Sequence, residues 1–556
     1  MEITQIPMMF RAQIPGRAQL QRLEPGADRQ DADDWVDEWL EGMEEDPPSF
    51  PDRVQTRDRD ISWRMVSNSG QDETAIRPVL GKGGFPYYPG SSMKGAFLRA
   101  CHQLGEDTLR YCGGKDADGE MRPGILRFHG AYPINETWRD RSALIDLVHP
   151  QQAWQMQGQE AHSAFLQISL YKPRLRFGIS SAKELAAEEW ETIWKIWQTA
   201  LERGIGMRTS AGYGQTKRFG KSRLLSVPLR GQGMTSRRLD KTGEFRPNGF
   251  KATLRSHTLR LFGGLTDATT AEVLTRELWG GFSGKSSVVG QVGVDFTAPL
   301  EDLEIVHHPY RRGAIPMYDI QEGMLQLLSA DPALDKKPKA KKNVQRILQN
   351  LVKFALLLGG FGKSWRRADH RLVFPAYAND PYNPAIGCHW ELSQEIKIWQ
   401  KYAIAVRDLG DVTAFLESLH RTLKNWLKYK DKKIREPAVW REAWRGDRVQ
   451  VWGCLVPSLA DSRAVRWLHG PYRGENEIKK SELTGKLNQI GRLWHRLYPR
   501  YLEKDGALRA TGEYVELLTL FPDVGDRRGR ENIINPFLKF LQKDSPFSLL
   551  YGTADF

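Results

Sequence analysis

Two stretches decide how this chain reads: PGSSMKG, from Pro89 to Gly95, and GIGMRTSAGYG, from Gly204 to Gly214. Both string glycines between Ser, Thr, Lys and Arg, a composition that lets backbone N–H groups approach an anion while side chains neutralise it. The first leads directly into MKGAFLRACHQL, a helical pattern, so Ser91 or Ser92 is expected to cap a helix whose positive end faces outward. The second closes a long amphipathic helix and precedes KRFGKSR. Two such segments in one basic chain point to a phosphate backbone.

The rest of the composition agrees. The chain has 556 residues and a formal net charge of +13, with 40% hydrophobic residues including 18 Trp, 17 Tyr and 22 Phe. At about 100–200 residues per domain, that length implies two to four domains with ample core. The cationic excess favours a polyanionic partner, and the lack of a long apolar run or signal-peptide core sets nucleic acid ahead of membrane. Cys101, Cys112, Cys388 and Cys454 are scattered without a CxxC pair, the pattern of reduced thiols in a cytoplasmic protein rather than of a disulfide framework or zinc site.

Outward from the two stretches, Gln5 to Ile14 reads as a first strand, followed by an acidic insertion at about residues 26–60 that is expected to be a partly helical surface loop. GILRFHGAYPI (Gly124 to Ile134) and AFLQISLYKPRLRFGIS (Ala164 to Ser180) read as strands, the latter broken at Pro173. AAEEWETIWKIWQTALERG carries Trp190, Ile193, Trp194, Ile196, Trp197 and Leu201 on one stripe. The order matches a ferredoxin-like βαββαβ unit. After an Arg-rich linker, a strand is expected from Phe250, then a helix through LTRELWG, a strand at SSVVGQVGVDF and a helix at ILQNLVKFALLLGG. GGFGKSWRRADHRLVF (Gly359 to Phe374) then echoes the first glycine loop, an internal repeat of about 150–200 residues. The basic stretch LESLHRTLKNWLKYKDKKIR reads as an amphipathic helix, RVQVWGCLVPS as a strand, and GKLNQIGRLWHRLYPRY as a further helix.

At these residues the chain resembles the RAMP superfamily (repeat-associated mysterious proteins), the RNA-recognition-motif-like backbone subunits of type III CRISPR effector complexes. PYYPGSSMKGAFLRA resembles the family's IPGSSLKGALR helix start, and GILRFHGAYP its G-L-F-x-D-A-x-P strand, with His129 and Gly130 in place of the acidic position. DLVHPQQAW and ERGIGMRTSAGYGQ resemble segments of the sixth Cmr-type subunit, with Arg208 where Lys is usual. These four matches run in family order across about residues 60–220.

The resemblance implies an α+β fold of tandem ferredoxin-like RAMP domains with inserted loops and a helical C-terminal extension. The domains would be residues 1–235, 245–385 and 386–556, the last continuing the second or standing apart. It implies partners: CRISPR guide RNA, target RNA, the large polymerase-like subunit and neighbouring RAMP subunits. Backbone contacts are then assigned to Ser91, Ser92, Lys94, Arg99, Arg208, Thr209, Ser210, Tyr213 and Lys217 in the first domain, Tyr213 either stacking on a base or sitting buried. Arg255, Lys363, Ser364, Arg366 and Arg367 would serve the second. Some family members also cut target RNA with a loop aspartate and a divalent ion (Mg2+ or Mn2+). Asp72 stands in the corresponding loop, with His149 as an acid–base candidate, and the binding and nuclease readings stay open side by side.

Overall fold

Alternation in the first half of RLRFGISS buries Leu175 and Phe177 and leaves Arg174 and Arg176 exposed, a period-two signature, while from Phe177 to Ser180 both faces are covered. That strand is central to the first of two compact units in the computed structural model, which describes residues 27–67, 75–148, 165–216, 223–238, 242–283, 286–299, 303–362, 368–380, 382, 387–479, 481, 483–484, 492–522 and 534–553. The first unit comprises Met1–Pro150, Ser163–Arg223 and Arg237–Thr242; the second comprises Gln151–His162, Leu224–Ser236 and Gly243–Phe556.

In the first unit the principal elements are α1 (Ala27–Glu41), β1 (Gln55–Asp60), α2 (Gly90–Leu104), β2 (Leu126–Pro133), β3 (Arg174–Ser181) and α3 (Ala187–Leu201). The sheet runs β1-β3-β2, antiparallel throughout, with Asp58 opposite Arg176 and Ala131 opposite Phe177. An antiparallel bridge between Ile61 and Thr216 sits beyond β1, where the fourth strand of a βαββαβ sheet belongs. Ile193, Trp197 and Leu201 of α3 pack on Leu175, Phe177 and Ile179, with the Phe177 and Trp197 rings 5.0 Å apart. Each such fully buried side chain contributes about 1.5–3 kcal/mol.

The acidic stretch is not a bare surface loop. Trp35, Val36 and Trp39 of α1 are buried with Phe85 and Trp138, and the Trp39 indole donates to the Gly84 carbonyl at 2.8 Å. Its exposed Asp37 pairs with Arg141, which holds the carboxyl below its usual range. The stretch ends in strand β1, whereas the expected strand at Gln5–Ile14 lies outside the described residues.

The second unit repeats the architecture twice. Its first sheet is built from β4 (Arg223–Met234), β5 (Val292–Thr297), β6 (Val306–Tyr310), β7 (Gly313–Ser329) and β8 (His389–Leu392), with helices α4 (Asn248–Gly263), α5 (Ala268–Trp279) and α6 (Pro338–Phe354). The strand order is β5-β7-β4-β8, and β6 pairs with the first part of β7 as a hairpin arm. Taking β4, β5, β7 and β8 as strands one to four, this is the order 2-3-1-4 of a ferredoxin-like sheet. Phe250 does not begin a strand: it lies in α4, where Phe250, Leu254, Leu261 and Phe262 face the core at helical spacing.

Helix α7 (Gly410–Tyr429) is followed by β9 (Gln450–Val456), α8 (Arg463–His469), β10 (Leu493–Lys504), β11 (Ala507–Leu520), α9 (Ile534–Lys543) and β12 (Ser548–Tyr551). The order β10-β11-β9-β12 is again 2-3-1-4. The expected helical C-terminal extension is therefore a third βαββαβ sheet, and LWHRLYPRYLEK is strand β10, not a helix. Both faces of this sheet are covered. Trp452, Leu518 and Leu520 meet α8 and α9, while Val451, Val515 and Leu517 join the core containing α4, α6 and α7. Doubly buried strands lose the alternation that marks a strand in sequence. No described helix is long and apolar enough to cross a membrane.

Glu516 on β11 is fully buried and accepts from the backbone N–H of Arg463 at 2.9 Å and of Ala464 at 3.1 Å, from the Ser462 hydroxyl, and lies 2.8 Å from His495 Nε2. It ties α8 to the third sheet. Glu516→Ala orphans all four partners and is expected to cost about 3–5 kcal/mol, read as a lowered urea midpoint in tryptophan-fluorescence unfolding.

Candidate nucleic-acid interface

Strand pairing places the two decisive stretches at one end of the first sheet. β1 ends at Asp60 and leads toward α2, while α3 returns antiparallel and delivers the glycine loop to the residues just after β1. There Gly214 N–H donates to the Arg64 carbonyl at 2.6 Å, Met207 N–H to Val66 at 2.8 Å, and Ser62 N–H to Gln215 at 2.8 Å.

Those bonds change the meaning of the glycines. Gly206 and Gly214 have φ of +79° and +59°, and an added Cβ would lie 2.4 Å from the Val66 oxygen and 1.8 Å from the Ile205 oxygen. Only glycine fits either position. The amides of Ile205, Met207, Ala211, Gly212 and Gly214 are all bonded within the unit, so the loop is a tight turn stitched to its neighbours rather than an open cradle. Thr209 and Ser210 are half-buried in this turn, and the Thr209 carbonyl accepts from the Gln215 side chain at 2.6 Å. Arg208, at φ +56°, is half-buried; burial lowers its guanidinium pKa, with Tyr213 and Asp146 opposing.

Tyr213 is fully buried, its ring centroid 4.7 Å from that of Trp63 and its hydroxyl donating to Asp146 Oδ2 at 2.7 Å. Gln167 donates to the same oxygen at 2.6 Å. Stacking of Tyr213 on a base is thereby corrected: the side chain is a core strut.

The start of α2 is the exposed half of the site. Pro89 is its N-cap and makes no side-chain cap bond, so neither Ser91 nor Ser92 caps the helix. Both lie instead in the first turn, exposed, with Lys94 and Arg99 also exposed along the helix. First-turn amides have no intrahelical acceptor; that of Gly90 donates to the Tyr87 hydroxyl at 3.2 Å. Tyr87 in turn donates to the His129 carbonyl at 2.9 Å, and His129 Nε2 lies 2.8 Å from Ser180 Oγ. Gly130 has φ of +75°, and an added Cβ would meet the Tyr88 oxygen at 2.2 Å, so only glycine fits there. Burial, and then Arg53, holds the His129 imidazole below its ordinary range.

The second unit rebuilds this geometry in a place the sequence reading missed. α4 starts Pro247-Asn248-Gly249-Phe250-Lys251, a proline, small residues, an apolar residue and a lysine, as in Pro89 to Lys94. Beside that start lies a cleft of about 70 Å³, lined by Asn248, Gly249 and Phe250 and by Gly362 of the second glycine turn. Helix start and glycine turn therefore meet here. The spacing was legible as a motif, but the strand assignment from Phe250 hid it. Arg255 sits half-buried further along α4, its pKa lowered by burial with Glu272 opposing. The hairpin arm of β6 and β7 adds exposed Arg311 and Arg312, the Arg311 guanidinium 5.3 Å from the Tyr310 ring.

Asp72, His149, Lys217, Lys363, Ser364, Arg366 and Arg367 lie outside the described residues. Asp267, the acid after the glycine pair in the second half, caps α5 by accepting from Thr270 N–H at 3.0 Å. Among the described residues no three His, Cys, Asp or Glu side chains come together to hold a metal ion.

No protein-family model matches this chain and no curated protein matches it. Among solved structures, a chain of the type III-B Cmr-beta complex bound to cognate target RNA is similar over 35% of this chain and 66% of that one, just under two thirds of its length, at 18% identity and a TM-score of 0.20. Cmr6 from Pyrococcus furiosus is similar over 31% of this chain and 100% of its own, at 15% identity and a TM-score of 0.20.

The buried role of Tyr213 has a direct check. Tyr213→Phe removes one hydrogen bond to Asp146 and is expected to lower stability by about 1–3 kcal/mol, read as a lowered urea midpoint; an unchanged midpoint would contradict the buried role.

Proposed function

We propose that this chain is an RNA-backbone-binding, scaffolding subunit of a type III CRISPR effector complex. It grips guide RNA at its phosphates and holds it for pairing with target RNA, among neighbouring RAMP subunits and the large polymerase-like subunit. The observation that carries this reading is the repeated site. In both units a proline-started helix follows the first strand of a ferredoxin-like sheet, and a glycine turn follows the second helix. Ser91, Ser92 and Lys94 supply hydroxyls, first-turn amides and a cation at the exposed start of α2. Such groups bind phosphates without reading bases, and base pairing then supplies specificity. The net charge of +13 and the family-like order of motifs across about residues 60–220 agree with it.

The reading is tested with the purified chain and single-stranded RNAs of unrelated sequence. Affinities are expected to be similar among sequences and to fall steeply with salt, and Lys94→Ala is expected to flatten the log–log salt slope by about 0.7, one single-strand phosphate contact. Salt-independent affinity, or full affinity in Lys94→Glu, would falsify the assignment.

A further inference from the structure

The basic helix that the site leaves unused has two faces of opposite character. Val412, Leu416, Leu419, Leu423, Trp426 and Leu427 of α7 are buried in the core of the second unit. On the outer side Arg421, Lys424 and Lys428 are exposed at i, i+3 and i+7, a stripe about 10 Å long. Lys432 and Lys433 continue it, exposed, in the segment that follows.

The cations here fall into two groups. Lys430 pairs with Glu277 at 2.9 Å and Arg435 with Asp267 at 3.5 Å, so these two fasten the segment to the two ends of α5. The side chains of Arg421, Lys424, Lys428, Lys432 and Lys433 have no hydrogen-bond or ion-pair partner among the described residues. These five positive charges, set among the exposed acids Glu417, Asp431 and Glu436, leave the fastened segment with a cationic excess facing solvent. Lys424 also adds to burial in holding the neighbouring His420 imidazole below its ordinary range.

Apolar groups are interleaved with these charges. Tyr429 is 44% exposed, Ile434 57% and Val439 75%. The Tyr429 ring is braced against Trp426, with centroids 5.7 Å apart. A polyanion that also carries flat apolar faces matches this surface, which is the chemistry of single-stranded nucleic acid. A lipid surface does not match, because a helix bound in a bilayer interface must bury its apolar face in lipid, and that face of α7 is already inside the protein.

We infer that the outer face of α7 and the segment after it form a second track for single-stranded RNA, with phosphates on the five unpaired cations and a base on Tyr429. The inference rests on the RNA-binding reading above and adds a surface outside the helix starts and glycine turns.

The experiment titrates the full chain with a fluorescent 20-nucleotide polyuridine across salt concentrations. It compares wild type, the alanine variant of all five cations, Tyr429→Ala and Lys94→Ala. The five side chains have no hydrogen-bond or ion-pair partner among the described residues, so the variant is expected to keep the wild-type circular dichroism and melting curve. Its salt slope is expected to flatten by about 2–3.5, at about 0.7 for each phosphate left without its cation. Tyr429→Ala is expected to weaken binding about ten-fold with the slope intact. A wild-type slope in the five-cation variant, beside a flattened slope in Lys94→Ala, overturns this inference and leaves the proposed function standing. Absence of RNA binding by the wild type overturns both. Loss of binding to phosphatidylserine vesicles in the variant, with RNA affinity kept, assigns the surface to membrane and also overturns it.

Discussion

In each ferredoxin-like sheet of this protein the first strand pairs with the third, not with the strand that follows it in sequence. β1 lies beside β3, β4 beside β7, and β9 beside β11. That pairing obliges the intervening chain to cross over one sheet face, so the helices collect there and bury their apolar stripes against the two central strands. It also decides where chemistry can occur. The second helix runs back to the end at which the first helix begins, so a glycine turn after the one arrives beside the start of the other. The cleft shared by Asn248, Gly249 and Gly362 is that arrangement in the second unit.

The glycine-rich segments answer to backbone crowding first. At Gly206, Gly214 and Gly130 a side chain would overlap a carbonyl oxygen, and the loop amides that could have faced an anion are bonded to the Arg64–Val66 stretch and within the turn itself. The hydroxyls and the cation left exposed nearby are those of Ser91, Ser92 and Lys94 at the start of α2. The same composition that reads as a phosphate cradle is here a requirement of close packing, and a nearby exposed helix start carries the charge and hydroxyls.

Much of the first sheet was legible. β3 and α3 follow from the alternation that runs from Arg174 to Phe177 and from the tryptophan stripe, and β2 from its apolar run, although Gly178 and Ser180 on the other face of β3 are buried too. In the third sheet β9 was legible as a strand, while β10 was not. The strands of that sheet are covered on both sides, so hydrophobic residues run on without alternation, and Arg496 within β10 looks like a solvent-facing helix residue. It is in fact buried, its guanidinium donating to the Leu356 carbonyl at 2.8 Å and to that of Trp390. A buried arginine saturated by distant carbonyls leaves no local trace.

By itself, the sequence determined the cationic excess and the periods of α3 and α7, since these depend on composition and neighbouring residues, whereas Gly130 and Gly206 are obligatory because of the Tyr88 and Val66 carbonyls that the fold brings against them. Tertiary structure alone decided which groups remain available. Tyr213 is consumed by Asp146, Lys430 and Arg435 by acids more than 150 residues away in the chain, and Lys428, Lys432 and Lys433 by none among the described residues. Pairing is a matter of distance through space, and residues far apart in the chain acquire that distance only when the strands cross over.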